Sequence, residues 1–205
     1  MRAVIFDLGG VVLDSPLDAI AHYERERALP EGFVNRLVVA SGPNGAWQRL
    51  ERGEIDLETF YRSFDAEARG GGHRLSAREM MARIRDWSRP RPIMLQAIAR
   101  LRDEGLRVAA LTNNWATDER PHRSLESHFH VFVESSKVGL RKPDPRIYEL
   151  TCTQLEVRPT EAAFLDDIGS NLKSARALGM HTIKVVDPRA ALGELGAALG
   201  LDLVD

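Results

Sequence analysis

The chain has 205 residues, 43% of them hydrophobic and 28% charged, which fits a globular protein of one domain, or of one core with a modest insert. Its 28 Lys and Arg are spread along the chain against 30 Asp and Glu, giving a net charge of -2, so there is no basic footprint for nucleic acid. No apolar stretch approaches the roughly 20 residues of a membrane span. The N-terminus opens directly on a strand-like run without a signal-peptide layout, and the single cysteine, Cys152, reads as a buried thiol. A cytoplasmic location is the expectation.

The first element is AVIFD (3–7), an apolar run that delivers one carboxylate, Asp7, followed by LGG. From about 16 to 88 no convincing strand occurs. LDAIAHYERERAL, EGFVNRLVVA, NGAWQRLERGE, DLETFYRSFDAEA and SAREMMARIRDW have the apolar spacing of short amphipathic helices. The chain returns from this helical insert at WSRPRP (87–92). Next come a helix over 91–105, a strand RVAALTN (107–113), a strand HVFVES (130–135), a helix over 145–156 with Pro145 in its first turn, a strand AAFLDD (162–167), a helix over 170–179 and a strand HTIKVV (181–186). The tail AALGELGAALGLDLVD reads as a last amphipathic helix, for packing or a dimer contact. Near-continuous apolar strands alternating with helices imply a doubly wound, parallel α/β sheet covered on both faces.

In such sheets ligands bind outside the carboxyl ends of the strands. The first strand ends in Asp7, the second in Thr112 and Asn113, and the fourth in Asp166 and Asp167. The third leads through a short loop to Lys142 in LRKPDP. Singly, each is a common turn, cap or surface residue. Jointly they carry more. Three carboxylates from two strands can converge on a hard divalent cation, which prefers oxygen ligands and shares them with a phosphate. A hydroxyl, an amide and an ammonium complete the equipment for phosphoryl transfer.

The ordered motifs FDLGGVV, LTNN, KVGLRKPDPRIY and FLDDIGSNLKSARALGM resemble those of the haloacid dehalogenase superfamily. RPIMLQAIARLRDEG and GPNGAWQRLERGEI extend the likeness to the group that includes the N-terminal phosphatase domain of soluble epoxide hydrolase and its bacterial relatives. The resemblance implies a Rossmann-like core over 1–15 and 88–205 with a helical cap over 16–87. It implies an aspartyl-phosphate mechanism on Asp7, with Thr112 and Asn113 binding phosphate and Lys142 neutralising charge. It also implies Mg²⁺ held by Asp7, the Gly9 backbone carbonyl, Asp167 and Asp166, with Asn171 ordering the acidic loop. The expected substrate is a small phosphomonoester, a sugar phosphate or a lipid-like one, in a monomer or homodimer.

Phosphatases of this superfamily usually carry a second aspartate where this chain has Gly9. The glycine keeps a carbonyl for the metal but removes a side-chain acid and base, help worth about 10²–10⁴-fold. Asp14 and Asp18 are neighbours in sequence but read as turn and helix-start residues, and Gly10 suits the turn that exposes Asp7. The leading reading is therefore a slow Mg²⁺-dependent phosphomonoesterase. The first alternative is a phosphate- and metal-binding regulatory module with weak or no turnover. The second is a metal-independent 2-haloacid dehalogenase, which lacks that aspartate too but for which GGVV and FLDD are the wrong motifs.

Substrate choice is expected to lie with the cap. Trp47, Phe60, Tyr61 and Phe64 stand at helical spacing, which favours core packing, while the 42–47 segment GPNGAW has the glycines of a loop able to reach the site. Trp115 follows LTNN directly, and a packing role is favoured for it. His128 and His130 read as surface histidines on one face of an early strand start, and Arg141 as a solvated neighbour of Lys142.

Overall fold

The structure, a computed structural model, describes residues 1–117 and 123–204. The element order is β1 (Ala3–Phe6), α1 (Pro16–Glu26), α2 (Phe33–Ala40), α3 (Ala46–Glu51), α4 (Leu57–Gly70), α5 (Ala77–Trp87), α6 (Pro92–Asp103) and β2 (Arg107–Thr112). It continues with α7 (Arg123–Glu126), β3 (Val131–Glu134), α8 (Ser135–Val138), α9 (Pro145–Leu155), β4 (Ala162–Asp166), α10 (Gly169–Ala177), β5 (His181–Lys184) and α11 (Pro188–Leu199).

The five strands form one parallel sheet in the order β3-β2-β1-β4-β5. Their apolar runs are explained by what covers them. Val4, Phe6, Val108, Ala110, Ala163 and Leu165 pack on one face with α6 and α11, and Ala3, Ile5, Ala109, Leu111 and Phe164 pack on the other with α9 and α10. Period-two alternation thus sends successive side chains into two separate apolar layers. β1 sits centrally, with β2 and β4 on either side. The chain turns from one half of the sheet to the other around it, which makes its carboxyl end the switch point where ligands bind in sheets of this kind.

Helices α1–α5 bury a third cluster, among them Ile20, Tyr23, Phe33, Leu50, Phe60, Phe64, Met80 and Ile84. Ser15, Asp56 and Ser76 cap α1, α4 and α5 with side-chain oxygens, and the buried Glu24 carboxylate accepts from the Gly32 and Val34 N–H groups at 2.7 Å each, doing the same for α2. Two passages join this unit to the sheet and they lie side by side. Leu13 bridges Pro90 in antiparallel fashion, Asp14 N–H donates to the Arg89 carbonyl at 3.0 Å and Arg91 N–H to the Val12 carbonyl at 2.8 Å.

Several expectations need correction. The strands end one or two residues earlier than the apolar runs suggest, although Asp7 N–H still donates to the Leu165 carbonyl and Val185 N–H to the Asp166 carbonyl across the sheet. The connection from β3 to Lys142 holds a helical turn, α8. β3 begins after both histidines; His130 Nδ1 instead accepts from Val108 N–H at 3.0 Å. The final helix stops at Leu199 with Gly200 in the left-handed conformation, and Leu203 then packs back on the sheet layer; Asp205 lies outside the described residues. Cys152 is buried, as expected.

Candidate active site

The register of the sheet assembles the acids. Phe6 pairs with Leu165, so Asp7 leaves β1 level with Asp166 at the end of β4. Asp7 Oδ1 accepts from its neighbour's N–H, Leu8, at 2.7 Å and meets Lys142 Nζ at 2.7 Å. The same ammonium donates to Asp166 Oδ2 at 2.8 Å. Lys142 is 1% exposed and Asp166 fully buried, so this is a bridged carboxylate–ammonium–carboxylate array shielded from water. Asp166 is further held by Ile168 N–H at 2.7 Å and by Asn171 Nδ2 at 3.0 and 3.2 Å, the ordering role expected of Asn171. Tyr148 Oη then donates to the Asn171 carbonyl at 3.0 Å.

Asp167 completes the group: one oxygen from each of Asp7, Asp166 and Asp167 lies within 4.8 Å of the others. Gly10 is what lets Asp167 come so close. It has φ +78°, and a Cβ there would collide with the Asp167 carboxylate. Burial pushes the Asp7 carboxyl up to about 8, with Lys142 pulling it down and Asp166 pushing it further up. Burial and then Asp166 raise Asp167 to about 6, against Lys142 and Arg91. Burial works against the Lys142 charge, but Asp166 and Asp7 outweigh it and hold the ammonium above the usual lysine range. Three carboxylates converge and only two of them meet the ammonium, so the oxygen donors and their surplus negative charge fit a hard divalent cation.

Thr112, buried at the end of β2, donates from Oγ1 to the Asn113 carbonyl at 3.4 Å. Asn113 spends its carboxamide on Lys142: Nδ2 donates to the Lys142 carbonyl at 3.0 Å and Oδ1 accepts from Lys142 N–H at 2.8 Å. This reciprocal pair fixes the backbone that carries the ammonium. Sequence reasoning missed the layer behind it. Asn114 donates to Glu134 Oε1 at 2.6 Å and accepts from Ser136 Oγ at 3.0 Å, while Ser135 Oγ accepts from Asn114 N–H and donates to its carbonyl. The second Asn of LTNN and the paired serines after β3 were the only local signal.

The remaining candidates are distributed differently. A Cβ on Gly9 would stand 3.1 Å from Pro16 Cδ and 3.3 Å from its Cγ, so the first ring of α1 already occupies that direction. Asp14 pairs with Arg91 at 3.5 Å, and Asp18 is exposed in the first turn of α1. Arg141 is partly exposed but not free in solvent: its Nε donates to the buried Glu51 Oε2 at 2.6 Å, and Trp47 Nε1 donates to the other oxygen at 3.0 Å. Phe60 and Phe64 are core, as the spacing suggested. Trp115 packs into the helical cluster and meets Trp47 edge-on, 6.4 Å between ring centres. The 42–45 turn borders a cleft of about 200 Å³ whose other wall is Leu140, Arg141, Pro143 and Arg146, beside the chain that carries Lys142. No described helix is long and apolar enough to cross a membrane.

Comparison with known proteins gives the arrangement a context. The model of haloacid dehalogenase-like hydrolases matches residues 1–179. Mouse acyl-CoA dehydrogenase family member 10 is 40% identical over 98% of this chain but 19% of its own length. Pig bifunctional epoxide hydrolase 2 is 36% identical over the whole chain and 40% of its own length. The chain therefore spans less than half of either relative. The sesquiterpene phosphatase astK of Aspergillus oryzae is 26% identical over 97% of both chains. Among solved structures, an enzyme of the same family from Bacteroides thetaiotaomicron, in complex with magnesium and inorganic phosphate, superposes with a TM-score of 0.64 at 19% identity, covering 90% of this chain and 93% of that one. The likenesses at the level of motif, whole sequence and sheet agree, and the chain belongs to the haloacid dehalogenase-like hydrolases.

Proposed function

We propose that this chain is a Mg²⁺-dependent phosphomonoesterase that works through a phosphoryl group carried on Asp7. The observation that carries the reading is the Asp7–Lys142–Asp166 array with Asp167 beside it, at the switch point of the sheet. Asp7, already oriented by Leu8 N–H and Lys142, attacks phosphorus; an Asp7–phosphorus bond forms and the bond to the alcohol oxygen breaks. Lys142 and the Thr112 hydroxyl hold the phosphoryl oxygens, and Asn113 keeps Lys142 in place. Water then attacks phosphorus, releasing inorganic phosphate and restoring the carboxylate. Asp7, Asp166, Asp167 and the Gly9 carbonyl would hold Mg²⁺, which when bound supplies charge neutralisation for the phosphoryl group.

The departing alcohol has no side-chain acid at position 9 to protonate it. Turnover is accordingly slow, or confined to substrates with a good leaving group. Residues 16–87 act as the cap over the core formed by 1–15 and 88–205. The Trp47–Trp115 contact at its seam and the likeness to a sesquiterpene phosphatase favour an apolar alcohol over a sugar. The packing of Pro16 against Gly9 favours, as second reading, a phosphate- and metal-binding module with little turnover.

Phosphate release from aryl, sugar and lipid phosphates, with Mg²⁺ or chelator, in wild type and Asp7→Asn, separates the two. Mg²⁺-dependent release lost in Asp7→Asn supports the phosphatase. No release by folded protein from any substrate leaves the binding module.

A further inference from the structure

Arg91 stands in the returning passage, immediately before α6, at the head of the segment RPIMLQAIARLRDEG. Its Nη1 donates to the Gly10 carbonyl at 2.8 Å and reaches the Val11 carbonyl at 3.4 Å, and its own N–H donates to the Val12 carbonyl. Nε faces Asp14 at 3.5 Å. One residue thus grips three consecutive carbonyls of the turn that follows Asp7, from a point 81 residues away. That turn is the one that faces Asp167, with Gly10 in a left-handed conformation and so close that a Cβ on it would collide with the carboxylate. A linker residue required only to tie two passages together has the backbone bonds Asp14–Arg89 and Arg91–Val12 for that purpose already. The guanidinium adds something different: it sets where Gly9 and Gly10 lie relative to Asp167.

We infer that Arg91 is a positioning residue of the cation site, holding the Gly9–Gly10 turn at the distance from Asp167 that a divalent ion requires. The inference rests on the proposed Mg²⁺ site. It acts through geometry and against charge, which makes it separable. Arg91 is a cation whose charge reaches Asp167, so as a mere charge it repels Mg²⁺ and its removal tightens binding. As a positioning group its removal loosens the turn and weakens binding, by the roughly 10–100-fold typical of residues that support metal ligands. A lysine keeps the charge but has a single nitrogen, so it cannot hold the carbonyls as Nη1 does while also facing Asp14 as Nε does.

The test is calorimetric titration of Mg²⁺ alone into the full chain, for wild type, Arg91→Met and Arg91→Lys, with the melting temperature of each protein measured without metal. Both variants are expected to raise the Mg²⁺ Kd by about tenfold or more while the metal-free melting temperature stays within a few degrees of wild type. Unchanged or tighter Mg²⁺ binding by Arg91→Met overturns the inference and leaves Arg91 a charge or a linker tie. Should Arg91→Met fail to fold, Arg91→Lys decides alone: wild-type affinity in it overturns the positioning role. A wild type that binds no Mg²⁺ overturns the metal site itself, an outcome distinct from equal binding by all three.

Discussion

The two ends of the Lys142 neighbourhood are built on opposite principles. On the sheet side, Asp7, Lys142 and Asp166 are held by strand register, buried, and bonded to each other within 2.8 Å. On the helical side, α3 meets the same stretch of chain through a few discrete contacts: the Glu51–Arg141 ion pair, the Trp47–Trp115 edge contact and the close approach of Gly53 to the Ser136 carbonyl. The first arrangement has no freedom to move without exposing unpaired charge. The second rests on separate side-chain contacts, and the helical unit has its own apolar core. On the proposed reading, the chemistry would sit on the rigid element and access to it on the other, the division that gated active sites use.

The sharpest way to break the comparison is inside the array. Lys142→Met removes the ammonium that two buried carboxylates share, and breaking a buried pair from one side costs about 3–5 kcal/mol. It should abolish activity and lower the melting temperature sharply. Asp7→Asn should abolish activity as well but leave the melting temperature unchanged or higher at pH 8, because burial already favours the uncharged form of that side chain. Equal destabilisation by the two, in thermal melts at that pH, would show that the array is not organised around the lysine.

The same charges set a pH dependence. Asp7 at about 8 and Asp167 at about 6 both lie above their unfolded values. The folded, metal-free protein therefore binds more protons than the unfolded chain between about pH 4 and 8. The stability these two groups contribute is present below pH 4 and is lost as pH rises through 6 and then 8. Mg²⁺ competes with those protons, so the rise in melting temperature it causes should be larger at pH 8 than at pH 6. A rise that shrinks with pH would place the cation elsewhere.

At the seam the effects are smaller and of another kind. Glu51→Gln keeps the acceptor for Trp47 but removes the charge facing Arg141, a loss of about 1–3 kcal/mol for a mostly buried charged hydrogen bond. Trp47 and Trp115 report on it directly, since they meet at this contact. The expected result is altered tryptophan emission and a higher KM for bulky phosphates, with kcat on a small aryl phosphate changed by no more than about twofold. A matching fall in kcat on the small substrate would mean that Arg141 transmits its position to Lys142, and the two regions are less independent than their contacts suggest.

These regions also differ in how readily they are read from sequence. The strands, their order of polar ends and the acids at 7, 166 and 167 are legible because apolar runs and turn residues are local signals, and the sheet register then brings the ends together. The seam is not. Glu51 and Arg141 are 90 residues apart, Arg91 and Gly10 81, and Asn114 and Glu134 20; each is a charged or polar residue of ordinary appearance until folding supplies its partner. Asn113 shows the limit within a motif. Its place after β2 is readable, but not that its carboxamide serves Lys142.

Gly9 marks where the two regions touch, and restoring an acid there is the smallest change with an informative outcome. Pro16, the first residue of α1, stands 3.1 Å from where the Cβ would be. That is tighter than ordinary van der Waals contact, and both ring atoms it meets belong to a stiff pyrrolidine. Gly9→Asp alone must move Pro16 or tilt its own carboxylate away from the leaving alcohol. It should change kcat on an alkyl phosphate by about twofold at most, far short of the 10²–10⁴ that a positioned general acid supplies. Pairing it with Pro16→Ala frees the space and should bring several-fold more, read as a gain on alkyl over aryl phosphates, since only poor leaving groups need the proton. A full gain from Gly9→Asp by itself would show that α1 yields at its first turn, and that Pro16 does not limit the room beside Gly9.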